Sequence, residues 1–324
     1  MSGKPAYTLA FLLVTCFSAI LTSNSQAADA ITFERQPNAL LIRAGGQPLA
    51  TYVYRDPKIL RPYFKDLCAP GGIQVTRHHP PREGHDRTDH DTMHPGLWLA
   101  FGDLSEADFW RNKARVQHGG FVKSPITLGN NASFSVLNEY VVGSRLICEE
   151  MCQYTILIRP SGYLIMWNST FKSDKSAFYF GDQEEMGLGV RVATPLMVKP
   201  LKDDYKPGRI LDDMGRRNEK EIWGHKALWA DYAGWVDEKF VGITIMPDPR
   251  NFRACRWHTR DYGFMAANPF ALEAFKAGPT SRTYVRPGRP FHLSFGIFIH
   301  AGADENSVDL KIAYADYLNL AKTY

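Results

Sequence analysis

Gly162-Tyr163-Leu164-Ile165-Met166-Trp167-Asn168-Ser169-Thr170-Phe171 alternates strictly: Tyr163, Ile165, Trp167, Ser169 and Phe171 share one face, and Leu164, Met166, Asn168 and Thr170 share the other. Side chains alternate across a strand with a period of two, so this run is a β-strand. Immediately before it, Pro160-Ser161-Gly162 is a turn signal. Ser144 to Arg159 is a second strand-like run, Val142-Gly143 a second turn, and Ala132 to Val141 a third run. Strands joined by such short turns pair antiparallel. Far along the chain the period returns: Phe291, Leu293, Phe295, Ile297 and Ile299 alternate with a face carrying His292, Ser294 and His300. Only the tail has helical spacing, with Val308, Ile312, Ala315 and Leu318 three or four apart and Ser307 placed to cap them. There is no repeat of fixed period, no low-complexity tract and no shift of composition that marks a linker. Residues 29–324 are therefore expected to form one all-β domain with a C-terminal helix. Lys199 to Gly224, rich in charge, Gly and Pro, is expected to be a long functional loop within it.

At the amino terminus, Lys4 precedes an apolar run from Leu9 to Leu21 and a small, polar stretch from Thr22 to Ala28. A positive segment, an apolar segment too short to span a bilayer and a small-residue site make a secretory signal. Ser25-Gln26-Ala27 places cleavage after Ala27 or Ala28, so residues 1–28 are expected to be a signal peptide and the protein periplasmic or secreted. Thr15 is too large for the position before a lipidated Cys16. Charge is close to balanced, 38 Lys and Arg against 34 Asp and Glu, which argues against a nucleic-acid partner. No later apolar run is long enough to cross a membrane, so the released protein is expected to be soluble. Beyond the leader stand Cys68, Cys148, Cys152 and Cys255. An oxidising compartment allows one or two disulfides among them, and four buried thiols are the alternative. Cys148 and Cys152 lie about 13 Å apart along a straight strand, too far to bridge each other.

Chemistry concentrates in three segments. Between Arg77 and Phe101 fall His78, His79, His85, His90 and His94, five of the ten histidines. Pro80, Pro81 and Gly84 make the segment a loop, where His78, His79 and His85 are expected to be merely exposed. His90 and His94 lead into the apolar run Gly96 to Phe101, and an imidazole at a strand entrance is held more firmly than one at a loop tip. The second segment is Phe178 to Val192, where Glu184 and Glu185 stand beside Gly187 and Gly189 and ahead of Arg191. Neighbouring carboxylates near an arginine can take different pKa values and so supply an acid and a base, although adjacent strand residues face opposite ways and only one glutamate should enter a given cleft. An ordinary surface ion pair is the bland alternative. The third holds Arg256 to Gly263 and then Ala267-Asn268-Pro269-Phe270. Trp257 and Tyr262 offer flat faces for a sugar ring, and His258, Arg260, Asp261 and Asn268 offer hydrogen bonds, but a core tryptophan beside a structural Arg-Asp pair has the same composition.

Five stretches together carry a family resemblance: RPYFKDLCAPGGIQVTR from Arg61, DHDTMHPGLWLAFGD from Asp89, DQEEMGLGVRV from Asp182, WADYAGW from Trp229 and WHTRDYGFMAANPF from Trp257. In this order they resemble the DUF6807 family over most of the chain. The resemblance implies a bacterial, frequently exported protein, an antiparallel β-sandwich similar in outline to the galactose mutarotase supersandwich, and an association with polysaccharide degradation. Family members sometimes bear the label of a methane oxygenase subunit, yet such a membrane subunit needs several spanning helices. Many members also have a compact D-H-x-H-H spacing before the Gly-Leu-Trp strand, whereas here Met93 precedes His94 and Pro95 follows it.

The expected function is that of an exported carbohydrate-active enzyme of epimerase, lyase or hydrolase type. Its acid-base residues are drawn from His94, Glu184, Glu185, His258 and Asp261. Its sugar or small-molecule ligand is held by His90, Trp98, Arg191, Trp257, Arg260, Tyr262 and Asn268. One glutamate is the base and His258 or His94 the acid, with no cofactor required. A non-catalytic carbohydrate-binding module stacking sugars on Trp98, Trp257 and Tyr262 is the alternative, though a surplus of histidine and carboxylate is not explained by binding. A divalent metal held by His90, His94, a glutamate and His258 is a third reading.

Overall fold

A computed structural model describes Met1, Gly3 and residues 30–203 and 205–323. The expected signal peptide and its cleavage site lie outside the described residues, apart from Met1 and Gly3. Two eight-stranded antiparallel sheets make up the body. Sheet I runs, in spatial order, through Ile31–Arg35, Ala39–Ala44, Gln47–Val53, Tyr63–Lys65, Leu97–Phe101, Met186–Arg191, Phe264–Asn268 and Arg256–Arg260. Sheet II runs through Arg209–Asp212, Ala230–Val236, Lys239–Pro247, Phe291–Gly302, Gly162–Lys172, Arg145–Arg159, Asn131–Val142 and Arg115–Leu128. The two alternating runs found in the sequence lie side by side in sheet II, Trp167 opposite Phe295.

The inner faces of the sheets share one apolar core. Leu97, Leu99, Leu188, Val190, Trp257 and Met265 enter it from sheet I, and Tyr163, Ile165, Trp167, Leu293, Phe295 and Ile297 from sheet II. The fold is thus an antiparallel β-sandwich whose strands bury alternate residues. On the outside of sheet II, Leu164, Met166 and Phe298 are covered by the helix Leu310–Ala321 through Leu310, Tyr317 and Ala321. His300, on that same outer face, is buried against Asp231, whereas His292 remains exposed beside Thr170. No helix among the described residues is long and apolar enough to cross a membrane.

Two expectations are corrected, and of the two alternatives for the cysteines one is realised. Asp309, not Ser307, caps the C-terminal helix, its Oδ1 accepting from the amides of Lys311 and Ile312 at 2.9 and 3.1 Å. Ser307 instead closes a turn with Asp304. The Lys199 to Gly224 stretch is not a structureless loop: it contributes the edge strand Arg209–Asp212 and the one-turn helix Asn218–Ile222. Cys68, Cys148, Cys152 and Cys255 are all free and buried. The alternative of four thiols acting as small apolar side chains is the one realised.

Candidate functional site

Strand alternation sorts the chemistry of sheet I onto its outer face. Leu97 and Leu99 point to the core, so Trp98 points out; Leu188 and Val190 point in, so Gly189 and Arg191 point out; Trp257 points in, so His258 points out. The glycines of Met186-Gly187-Leu188-Gly189 each meet a close approach. Gly189 lies opposite Trp98, and a Cβ there would stand 2.8 Å from the Trp110 ring and 2.9 Å from that of Trp98. Gly187, at a φ of +94°, has the backbone carbonyl of Ala267 where its Cβ would be. The space so freed is filled by aromatic rings: Trp98, Trp110 and Phe264 form a buried outer cluster with Tyr63, and Tyr262 packs at its margin.

Two imidazoles stand on this floor. His94 stacks on Phe264 at 4.7 Å between ring centres and 11° between planes, with Trp98 at 5.0 Å and His90 at 4.8 Å. His258 meets the same Phe264 edge-on at 4.9 Å. Both are nearly enclosed, each 4% exposed. Burial, reinforced by Arg191, His90, Arg77 and Arg61, holds His94 well below the ordinary imidazole value, and Nδ1 of this ring is buried without a hydrogen-bond partner. Burial and Arg260 push His258 down to about 3. The Nδ1 of His258 faces the Glu184 carbonyl at 3.3 Å and therefore carries the proton, which leaves a lone pair on Nε2, 3.4 Å from the Glu184 carboxylate.

Arginines organise the loop above. Arg77, 1% exposed, donates to the backbone carbonyls of Arg87, Asp89, His90 and His94, tying the His-rich loop to one guanidinium. Arg191, equally buried, takes a two-pronged hold on Asp89 at 2.7 and 3.1 Å and lies 4.7 Å from the centre of the Tyr262 ring. Burial opposes the charge on Asp89, but Arg191 and the hydrogen bond from His90 outweigh it and hold this carboxyl far below the usual carboxylate range. Arg61 lies over the Trp98 ring and donates to the carbonyl of Met93, just ahead of His94.

Of the residues expected from the sequence, His90, His94, Trp98, Arg191, His258, Tyr262 and Glu184 come together on this face. The two glutamates part company, Glu184 turning to His258 and Arg260 while Glu185 pairs with Arg111. Arg260 bridges Glu184 to Glu219 at the rim. Other assignments are corrected. Trp257 is fully buried in the main core and donates to the Ala227 carbonyl, so it offers no face to a ligand. Trp98 is equally enclosed and serves as a floor rather than a stacking surface. Asp261 exchanges hydrogen bonds with the backbone and side chain of Glu219 and so fixes the start of the short helix. Asn268, 0% exposed, spends its amide on the carbonyls of Gln183 and Glu184 and its oxygen on the amides of Phe270 and Ala271, and so positions the Glu184 turn from beneath. Nor do His90, His94, a glutamate and His258 converge as metal ligands: among the described residues the ligand-bearing group that does converge is His78, His85 and Asp86. Sequence reading missed Arg77, Asp89, Arg61 and Glu219. Arg61, Arg77 and Asp89 bounded stretches singled out for other residues, and Glu219 left no signal.

An antiparallel β-sandwich with buried imidazoles, a carboxylate and paired arginines gathered outside one sheet defines the class of protein. Within it, the chain belongs to the family described as "Family of unknown function (DUF6807)", whose pattern matches residues 39–311. No curated protein matches the chain. Solved structures similar to it include a galactose mutarotase-like protein from Lactobacillus casei, at 13% identity and a TM-score of 0.32 over 83% of this chain and 100% of that one. Heparan sulfate lyase from Pedobacter heparinus is similar at 8% identity and a TM-score of 0.34, over 88% of this chain, which spans only 38% of the lyase. A GalM/aldose epimerase homologue from C. elegans is similar at 10% identity and a TM-score of 0.31, over 85% and 99% of the two chains.

Proposed function

We propose that the outer face of sheet I is the active site of a carbohydrate-active enzyme, with Glu184 and His258 acting as one proton-accepting pair. The observation that carries this reading is the pairing itself: an imidazole whose remaining lone pair faces a half-exposed carboxylate, on a face where a second uncharged imidazole, His94, stands without a partner for Nδ1. Arg260 holds Glu184 in place, and a proton taken from a sugar carbon beside a carbonyl, or from a ring hydroxyl, is shared by the pair as a unit. His94 supplies a hydrogen bond to the reacting oxygen. At the rim, His90 and Tyr262 lie parallel at 6.3 Å and present flat surfaces, flanked by Asp89, Arg87 and Glu219 as hydrogen-bonding groups. That mixture of ring faces and charged donors and acceptors suits a polyhydroxylated ring.

The test measures binding by calorimetry and product formation on a panel of plant and algal oligosaccharides and their keto derivatives. Glu184→Gln and His258→Gln should each lower turnover about 10²- to 10⁴-fold, with the double variant little worse than either, because they act as one unit. Affinity should change little, and Glu185→Gln should be nearly silent. If the wild type binds a panel sugar tightly and converts none, the protein is a non-catalytic carbohydrate-binding module instead.

A further inference from the structure

The His-rich loop holds a second cluster that the pair on sheet I does not use. His78, His85 and Asp86 each present one ligand atom, all within 4.8 Å of one another. We propose that these three side chains bind a divalent transition-metal ion of the zinc class, at a site separate from the Glu184–His258 pair.

The carboxylate of Asp86 is buried and pinned from the protein side by the Arg82 amide at 2.9 Å and the Thr194 hydroxyl at 2.7 Å. Its remaining directions are taken by imidazoles: Nδ1 of His78 lies 2.9 Å from Oδ2, and Nδ1 of His85 lies 3.2 Å from Oδ1. A tetrahedral ion with bonds of about 2.0 to 2.1 Å holds its ligand atoms a little over 3 Å apart; each imidazole already stands at about that distance from one Asp86 oxygen, and the three ligand atoms, within 4.8 Å of one another, need only draw together to close on one ion. The two rings cross at 78° with centres 5.1 Å apart, so they approach from different directions, as two ligands of one ion must. Two imidazoles and one carboxylate favour zinc and its neighbours over calcium or magnesium, which prefer cages of oxygen. Thr194 does what an outer-shell partner does, orienting the carboxylate from behind. The side chain of His85 is 43% exposed against 1% for Asp86, which gives the ion a way in and leaves one coordination position facing solvent. A bound ion would also fasten the turn in which His85 and Asp86 donate their amides to the Arg82 carbonyl, three residues ahead of Asp89.

The untagged full chain is stripped with a chelator and titrated with zinc by calorimetry, and cobalt(II) absorbance is followed in parallel. One ion per chain is expected. His85→Ala, at a half-buried position whose loss should leave the fold unchanged by circular dichroism, should weaken binding at least about tenfold. His78→Ala with His85→Ala should abolish it, and His292→Ala, on the opposite sheet, should change nothing. The proposal is overturned if the wild type takes up no stoichiometric zinc, or if uptake is the same in the His78, His85 double variant.

Discussion

Trp257 shows how a single residue changes meaning with its neighbours. Both Trp257 and His258 belong to a segment rich in sugar-binding residue types, yet consecutive strand residues point to opposite faces, so if one enters the site the other enters the core. That exclusion was available in the sequence as soon as Arg256–Arg260 was taken as a strand, and it applies equally to Trp98 between Leu97 and Leu99. Arg77 was not legible in the same way, because its partners are four backbone carbonyls, which every residue carries and no side-chain pattern reveals. A testable consequence concerns the indole. Trp257→Ala removes a fully buried ring and should cost about 3 to 5 kcal/mol of stability in urea unfolding. Sugar affinity of whatever fraction stays folded should be unchanged, while Tyr262→Ala should do the opposite. Loss of affinity without loss of stability in the Trp257 variant would return that residue to the binding surface.

Among the elements, the paired strands Gly162–Lys172 and Phe291–Gly302 were legible because each turns one apolar face to the core by a local alternation that needs no knowledge of the partner. The end of the C-terminal helix was less so. Ser307 and Asp309 both precede the helical spacing and both are good caps, and the choice between them depends on Asp304, which draws Ser307 into a turn of its own. Asp309→Ala should therefore lower stability by about 0.5 to 2 kcal/mol, whereas Ser307→Ala should cost distinctly less. Equal losses in the two variants, read from denaturation midpoints, would mean that the turn and the cap act as one element. The Lys199 to Gly224 stretch hid its structure for a related reason. Its strand has only the four residues Arg209–Asp212 and its helix five, both too short for a period to declare itself.

At the scale of the whole molecule, the two sheets are covered unequally: sheet II wears a helix outside, sheet I a set of loops, polar groups and imidazoles. His94, His118 and His258 are 4 to 6% exposed and held uncharged by burial, His118 down to about 4 and His258 to about 3. An unfolded chain accepts protons on these rings below about pH 6.5, while the folded one refuses them, so stability is full above that pH and falls as pH drops toward 4. Each ring contributes a slope of up to about 1.4 kcal/mol per pH unit across that window. Unfolding by urea at pH 7, 6 and 5 should show the decline, and His118→Gln, remote from Glu184 and His258, should make it shallower. A stability unchanged from pH 7 to 5 would mean that the rings titrate alike in both states. The four unbridged thiols matter differently at this scale. Cys148 and Cys152 sit in the middle of sheet II, Cys255 just ahead of the last strand of sheet I, and Cys68 in a small hairpin between Cys68–Ala69 and Ile73–Gln74. Each is sealed from reagents until its own surroundings open, so the chain carries a built-in set of local clocks. The order in which an alkylating pulse reaches them records which part of the sandwich parts first, without any label having been introduced.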